Sequence, residues 1–539
     1  MSDIAEKLQS LRPQILEILA ASGSPGLSLG VLHHGDVIHT AHLGRRDALR
    51  DSLPNDDTIY HVASLTKAIT ATAVACLVDD GILDWDLPIR HYLPEFGQRS
   101  DQLGQQCSLI DLLSNRTGLT MANSLWGQKQ GEFLLPKNEI VRTICHLDAI
   151  KPFRESFVYS QWNYALVTEV CERITGMRFG QYVREKILDP LEMYRTSFMP
   201  QKGDNAASPH VVCNDGTPYS IALTNLSDET GFAGANAARS SIKDLLSFYR
   251  SLLSAHKHQT ENISDFTEGS PMKQVKKILS PYVGVGTSRI EEGGYCLGLY
   301  RTLLPNNLSI SSMNNLLLGP KRMPRIGSGS PGLDIYHHAG NVPGFLASAF
   351  LIPSTQSAIV VLTNALPYMD PTDFVGQLIV SVLLGSQSPG GLLGLCKAGR
   401  PASLASYTAL SASLEKHKTS RPPSFPKIAY VGEYINTAGN FVLSITMSEL
   451  GLTMLVQHMP LTRYSLLPYD GDTFYWPADR DAELIQCMWP IISTGWHKVT
   501  FKPTERGEID RLIWKHDPFA RAEVFHKRSS DAGIQREKL

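Results

Sequence analysis

Ile59-Tyr60-His61-Val62-Ala63-Ser64-Leu65-Thr66-Lys67-Ala68-Ile69-Thr70-Ala71-Thr72-Ala73-Val74-Ala75 is the stretch on which the reading of this chain turns. Ser64 and Lys67 stand three apart, so on a helix they share one face and the amine reaches the hydroxyl. The pattern is weak by itself, because Ser-x-x-Lys also starts at Ser240, Ser254, Ser270, Ser413 and Ser424. Context separates the first from the rest. Small and apolar side chains on both sides of Ser64 predict a buried helix start, whereas the other five lie in polar insertions, in a linker or at an exposed helix start. A buried lysine loses proton affinity because desolvation penalises its charge, and the neutral amine can then take the proton of a neighbouring serine. The competing reading is a helix N-cap at Ser64 with Lys67 reaching solvent.

Outward from this stretch, Leu65 to Asp80 and Asn163 to Thr175 read as helices closed by Gly81 and Gly176. Residues 3–21 carry Ile4, Leu8, Leu11, Ile15 and Ile18 at helical spacing and end at Gly23-Ser24-Pro25-Gly26. Two hairpins follow the period of strands: Gly26 to Leu32 with Val37 to Leu43, and Phe345 to Ile352 with Ala358 to Thr363. Hairpins this far apart, with a helical block between them, predict one sheet built from both ends of a long domain. Residues 256–281 and 304–333 lack a clear period and read as surface insertions. From Gly385 to Lys427 the composition shifts to Ser, Pro, Ala and Lys, which reads as a linker with room for one helix. Short β-like runs at 442–446, 452–456, 461–467 and 512–514 then predict a small β-rich module. The expected division is a domain over 1–385, a linker over 386–427, the β-rich module over 428–526 and a flexible tail over 527–539.

The length of 539 residues exceeds what one hydrophobic core usually organises. With 42% hydrophobic and 19% charged residues the chain has ordinary globular usage, which excludes wholesale disorder. Fifty basic against 52 acidic residues, a net charge of -2, leave no electrostatic footprint for nucleic acid. Eight scattered cysteines read as free thiols. An acidic start without a signal-peptide pattern and the lack of an uninterrupted apolar run of about 18 residues give the expectation of a cytoplasmic protein that does not engage a membrane.

A rival nucleophile is Ser28 in Gly26-Leu27-Ser28-Leu29-Gly30, a literal GxSxG. That elbow needs a strand, a sharp turn and a helix, and here a strand runs on into a hairpin, so Ser28 reads as an ordinary strand residue. The histidine pairs His33-His34, His256-x-His258 and His337-His338 have no spaced partner set, and no metal is expected.

Ser64-Leu65-Thr66-Lys67, with Pro25 to Gly30 upstream and Asp79 to Asp84 downstream, resembles the serine hydrolases related to class C β-lactamases and penicillin-binding proteins. The resemblance continues in order through Leu112 to Leu119, Asp189 to Met193, Gly231 to Asp244 and Tyr336 to Phe345, spanning roughly 20–382. The β-rich tail resembles the lipocalin-like module carried by many members. The implied fold is α/β of the β-lactamase/transpeptidase type: an antiparallel sheet flanked by helices with an inserted all-helical subdomain. The family's Tyr-x-Asn is matched imperfectly by Tyr159-Ser160-Gln161, while the only literal copy, Tyr434-Ile435-Asn436, lies in the tail module. His338-Ala339-Gly340 stands where true β-lactamases have Lys-Thr-Gly, as in esterase and acyltransferase relatives, so a carboxylate-bearing antibiotic is disfavoured as substrate.

By this resemblance Ser64 is the nucleophile, Lys67 its base and Tyr159 the proton relay. Gln161, His338 and Gly340 would face the substrate, and the backbone N–H groups of Ser64 and Asn341 would hold the oxyanion. No cofactor is implied. The partner is a small acyl substrate, free or as a carrier-bound thioester, and the oligomeric state stays open. Water as acceptor makes an esterase or amidase; an alcohol or amine makes an acyltransferase or a cyclising thioesterase in natural-product biosynthesis. A non-catalytic binding protein is the third reading.

Overall fold

Gly26–His33 (β1) and Asp36–Gly44 (β2) form the first hairpin, closed by His34 and Gly35 at φ 52 and 85, the left-handed pair that matches the twist of antiparallel strands. The computed structural model describes residues 2–528 apart from 201, 202, 204, 287, 387–389 and 450. Further strands are Val283–Gly284 (β3), Gly293–Tyr295 (β4), Tyr300–Leu303 (β5), Asp334–Val342 (β6), Phe345–Ile352 (β7) and Ser357–Thr363 (β8). They join the hairpin in one eight-stranded antiparallel sheet, in the order β2-β1-β8-β7-β6-β5-β4-β3. Both ends of the long domain thus build the sheet, as the two separated hairpins predict.

Every residue of β1, β7 and β8 is buried, because helices cover both faces of the sheet. Along β8 the side chains alternate. Ile359 and Val361 pack with Ser2–Ser10 (α1), Arg12–Ser22 (α2) and Pro371–Leu383 (α6), while Val360 and Leu362 pack toward Ile242–Glu261 (α5). Between the sheet halves lie Thr66–Asp79 (α3), Gln161–Thr175 (α4) and shorter helices, forming the inserted helical subdomain. Gly81 and Gly176 take φ of 70 and 67 just past α3 and α4, the left-handed stop that their sequence position predicts.

The tail module is a closed antiparallel barrel of eight strands: Gly432–Ile435 (β9), Val442–Ser448 (β10), Gly451–Val456 (β11), Arg463–Asp470 (β12), Thr473–Tyr475 (β13), Lys498–Pro503 (β14), Ile509–Trp514 (β15) and Glu523–Lys527 (β16). Fully buried Tyr434, Trp496, Phe501, Trp514 and Phe525 belong to its core. The barrel fits the lipocalin-like expectation.

Three local readings change. The helix expected over 3–21 is two helices broken at Leu11, where Pro13 in the first turn of α2 lacks the N–H that would continue α1. The stretch read as a linker carries Leu392–Lys416 (α7), which packs on α2 and sets Leu410 and Leu414 against Tyr469 and Tyr475 of the barrel. Within the first surface insertion, Met272, Val275 and Ile278 are core residues. All eight cysteines are free, six of them buried. Among the described residues no helix is long and apolar enough to cross a membrane. Of the tail read over 527–539, Lys527 closes β16 and residues 529–539 lie outside the described ones.

Candidate active site

Ser64 lies in a tight turn feeding α3. Ala63 before it holds φ 47, a left-handed conformation that costs a non-glycine residue about 1–3 kcal/mol and survives only where its surroundings over-determine it. Those surroundings are the bonds from Val62 N to Ala238 O and from Leu65 N to Val62 O. Ser64 is 4% exposed and Lys67 fully buried, so the N-cap reading with Lys67 in solvent fails.

Lys67 Nζ makes three hydrogen bonds: to Ser64 Oγ at 3.0 Å, to Gln161 Oε1 at 2.6 Å and to the Ala235 carbonyl at 2.8 Å. Burial holds its pKa well below the usual lysine range, and none of the ion pairs among the described residues gives it a carboxylate. The neutral amine has two protons and one lone pair. Gln161 Oε1 and Ala235 O can only accept, so they take the protons and leave the lone pair directed at Ser64. Tyr159 OH donates to Ser64 Oγ at 2.8 Å, and burial keeps this phenol protonated far above neutral pH. The three residues expected to do the chemistry thus meet at one oxygen.

The tyrosine segment is placed by the block at 112–119. Asn115 accepts from Val158 N through its carbonyl, and its Oδ1 accepts from Ser160 N at 3.1 Å and Asn163 Nδ2 at 2.8 Å. Thr117 Oγ1 donates to Asn163 Oδ1 at 2.8 Å. Two sequence blocks about 45 residues apart are therefore one hydrogen-bonded unit.

His338 is 3% exposed. Its Nδ1 donates to the Ala339 carbonyl at 2.7 Å, which fixes the tautomer and makes Tyr295 OH the donor to Nε2 at 3.1 Å. Burial, helped by Lys67, pushes its pKa down to about 3, so it stays neutral. Its ring and that of Tyr159 are 5.8 Å apart, and Phe157, Tyr295 and Tyr300 extend the aromatic wall. On β6, pairing with β5 covers only Asp334 to His337, so the edge from His338 onward is left to the Ser64 turn. Gly340 makes that approach possible: a Cβ there would sit 2.2 Å from Val62 O and 3.3 Å from Ser64 N. Gly340→Ala is accordingly expected to push the turn aside and slow Ser64 labelling by about 10–100-fold, read as the rate of adduct formation with an activated ester. Asn341 follows at the half-buried end of β6, and its side-chain Oδ1 is buried without a partner among the described residues.

Gln161, expected on the substrate side, accepts through its amide oxygen from Lys67 Nζ at 2.6 Å. The Ala235 carbonyl and Tyr295 were missed. A backbone acceptor leaves no residue-type signal, and Tyr295 stands in a glycine-rich stretch without a period. Tyr434, the literal Tyr-x-Asn tyrosine, is fully buried in the barrel with its OH on the Tyr430 carbonyl. Ser28, read as a strand residue, is one, with a surprise: its Oγ lies 2.9 Å from both Tyr60 OH and His42 Nδ1, and His42 Nε2 lies 2.9 Å from Asp56. Full burial within the sheet denies this serine any substrate.

A family model described as Beta-lactamase matches residues 11–383, and one described as a domain of unknown function (DUF3471) matches 416–528. The unguisins hydrolase ungD' of Aspergillus campestris is 25% identical over 350 residues, 63% of this chain and 58% of that protein. The unguisins hydrolase ungD of Aspergillus violaceofuscus is 21% identical over 449 residues, 78% and 73% of the two chains. Protein flp of Staphylococcus aureus strain MRSA252 is 26% identical over 190 residues, 34% of this chain and 36% of its own. The chain thus spans less than two thirds of the first two relatives it matches, ungD' and flp. An octameric penicillin-binding protein homologue from Pyrococcus abyssi superposes with a TM-score of 0.56 at 17% identity, covering 96% of this chain and 99% of its own, and so shares the fold.

Proposed function

The chain belongs to the β-lactamase family, and from that premise we propose that it is a serine hydrolase cleaving an ester or amide through an acyl-enzyme on Ser64. The observation that carries this reading is the arrangement of Lys67, whose two fixed acceptors leave its lone pair facing Ser64 Oγ. Lys67 takes the serine proton as Ser64 attacks the carbonyl, and the backbone N–H groups of Ser64 and Asn341 hold the oxyanion. Tyr159 passes a proton to the leaving group and then activates water to release the acid.

Hydrolysis is favoured over transfer by the two relatives whose names make them hydrolases of unguisins. The substrate is an uncharged acyl compound. Burial disfavours the charged forms of Lys67, bonded to Ser64, and of His338, whose ring lies beside Tyr159, and the wall beyond them is aromatic. The test is incubation of the protein with a fluorophosphonate and with p-nitrophenyl acetate, with the adduct mapped by mass spectrometry. An adduct on Ser64 with free acid as the product supports the proposal. Labelling elsewhere removes it, and ester consumption that accelerates with an added alcohol or amine turns it into acyl transfer.

The same picture assigns the acid limb of the pH–rate profile. Lys67 must be neutral to act, so activity falls as pH drops through its lowered pKa, whereas His338 at about 3 is neutral throughout. His338→Gln is expected to leave that limb where it stands; a displaced limb would make His338 the titrating group.

A further inference from the structure

The loop between β15 and β16 brings one buried carboxylate of the barrel against the helical subdomain. Asp517 is 2% exposed. Its Oδ2 accepts from Ala122 N at 2.9 Å and from Thr120 Oγ1, and its Oδ1 accepts from Phe519 N at 2.9 Å, within its own loop. The opposite side of the same short segment serves the tyrosine motif. The Thr120 carbonyl accepts from Ser160 Oγ at 2.9 Å, and the Met121 carbonyl accepts from Trp162 Nε1 at 2.9 Å. Ser160 and Trp162 are the two neighbours of Gln161, and Ser160 follows Tyr159.

Residues 120–122 are therefore held between a barrel carboxylate and the segment that carries Tyr159 and Gln161. Ala122 holds φ 33, a left-handed conformation that a residue with a side chain keeps only under constraint, and the bond from its N–H to Asp517 is such a constraint. Other bonds between barrel and subdomain end elsewhere: Asn440 Nδ2 donates to Glu139 and Thr143, and Gln457 Nε2 to the Leu134 carbonyl. Next to Asp517, His516 Nδ1 meets Ser124 Oγ at 2.6 Å, which anchors the loop without touching 120–122.

We propose that Asp517 is a positioning residue for the reaction at Ser64, fixing Tyr159 and Gln161 against Ser64 and Lys67 through Thr120–Ala122. The inference rests on the acyl-enzyme reading above and deepens it: the barrel sets the geometry of the chemical step. A hydroxyl and an amine that must meet within hydrogen-bond reach are sensitive to displacements of about 1 Å, which cost up to about 100-fold in rate.

The experiment compares Asp517→Asn, Thr120→Val and the interface control Asn440→Ala with the wild-type protein. For each, the rate of fluorophosphonate labelling at Ser64, kcat and KM for p-nitrophenyl acetate, and Tm are measured. Asp517→Asn is expected to lower labelling rate and kcat by about 10–100-fold with KM changed by less than about twofold. Thr120→Val, which keeps the Ala122 bond, is expected to show a smaller loss of the same kind, while Asn440→Ala keeps wild-type kcat. In the double variant Asp517→Asn with Ser160→Ala, the loss should fall short of the sum of the single losses, because both cut one chain of contacts. The inference is overturned if Asp517→Asn matches Asn440→Ala in kcat, if its loss lies in KM alone, or if the loss follows Tm across all the variants. Absence of a Ser64 adduct in the wild-type protein overturns the acyl-enzyme reading and this inference together; a wild-type adduct with an unaffected Asp517→Asn overturns this inference alone.

Discussion

Ser64→Ala is expected to abolish covalent labelling by a fluorophosphonate and to lower turnover of p-nitrophenyl acetate by about 10⁴-fold or more. The size follows from what the hydroxyl does: it is the atom on which Lys67 and Tyr159 converge, and without it neither has a partner to activate. Oxyanion donors and binding alone leave only a small residual rate. The variant should remain folded, because it removes one oxygen from a turn whose backbone is held by the bonds from Val62 N to Ala238 O and from Leu65 N to Val62 O. An unchanged Tm with lost turnover therefore assigns the effect to chemistry. Turnover within about tenfold of wild type would sink the acyl-enzyme scheme and send the search to another nucleophile.

Lys67→Met is expected to cost about 10³-fold or more in the acylation rate, since it removes the base while keeping the volume of the side chain. Its effect on stability separates this from a folding defect. The folded-state pKa of Lys67 lies well below its unfolded value, so at pH between the two the unfolded chain holds a proton there that the folded chain lacks. Unfolding takes up that proton, and wild-type stability consequently falls as pH is lowered below the unfolded pKa. Methionine has no such proton. Denaturation curves at alkaline and at mildly acidic pH should show the stability difference moving in favour of the variant as pH falls. A pH-independent difference would mean that Lys67 keeps its charge in the folded protein and cannot act as the base. At any pH the variant also leaves Gln161 Oε1 and Ala235 O without their donor, at about 1–3 kcal/mol for each acceptor left unsatisfied.

The parts of the site that sequence revealed are those written in side-chain type at short spacing. Ser64 and Lys67 are three apart, and glycine stops both α3 and α4. The blocks around Leu112, Tyr159 and His338 were legible only through their order along the chain, and their contacts through Asn115 were not, because one asparagine bonding three groups across about 45 residues leaves no periodic trace. The linker reading left room for one helix, but the length and packing of the helix at 392–416 were hidden for a different reason. Its apolar positions Leu392, Cys396, Tyr407, Leu410 and Leu414 keep helical spacing, but Pro401 interrupts them and the serine-rich composition outweighs the period. Asp517 was beyond reach altogether: a lone acidic residue in a barrel loop resembles every other solvated charge until the fold brings Thr120 beneath it.

The pairing of β1 with β8 has a consequence for the protein as it is made. Gly26 and Thr363 share a hydrogen bond across 337 residues, so the first hairpin leaves the ribosome long before its central partner strand exists. A hairpin alone in water is marginal. The nascent chain therefore carries β1 without its central partner until 345–363 emerges, and only then can the sheet condense. The barrel behaves otherwise, since each strand from β10 onward meets its predecessor at once and only the closure of β16 onto β9 waits for the end. The interval of synthesis between residues 44 and 345 is therefore the one in which β1 is exposed to misassembly, before its central partner exists.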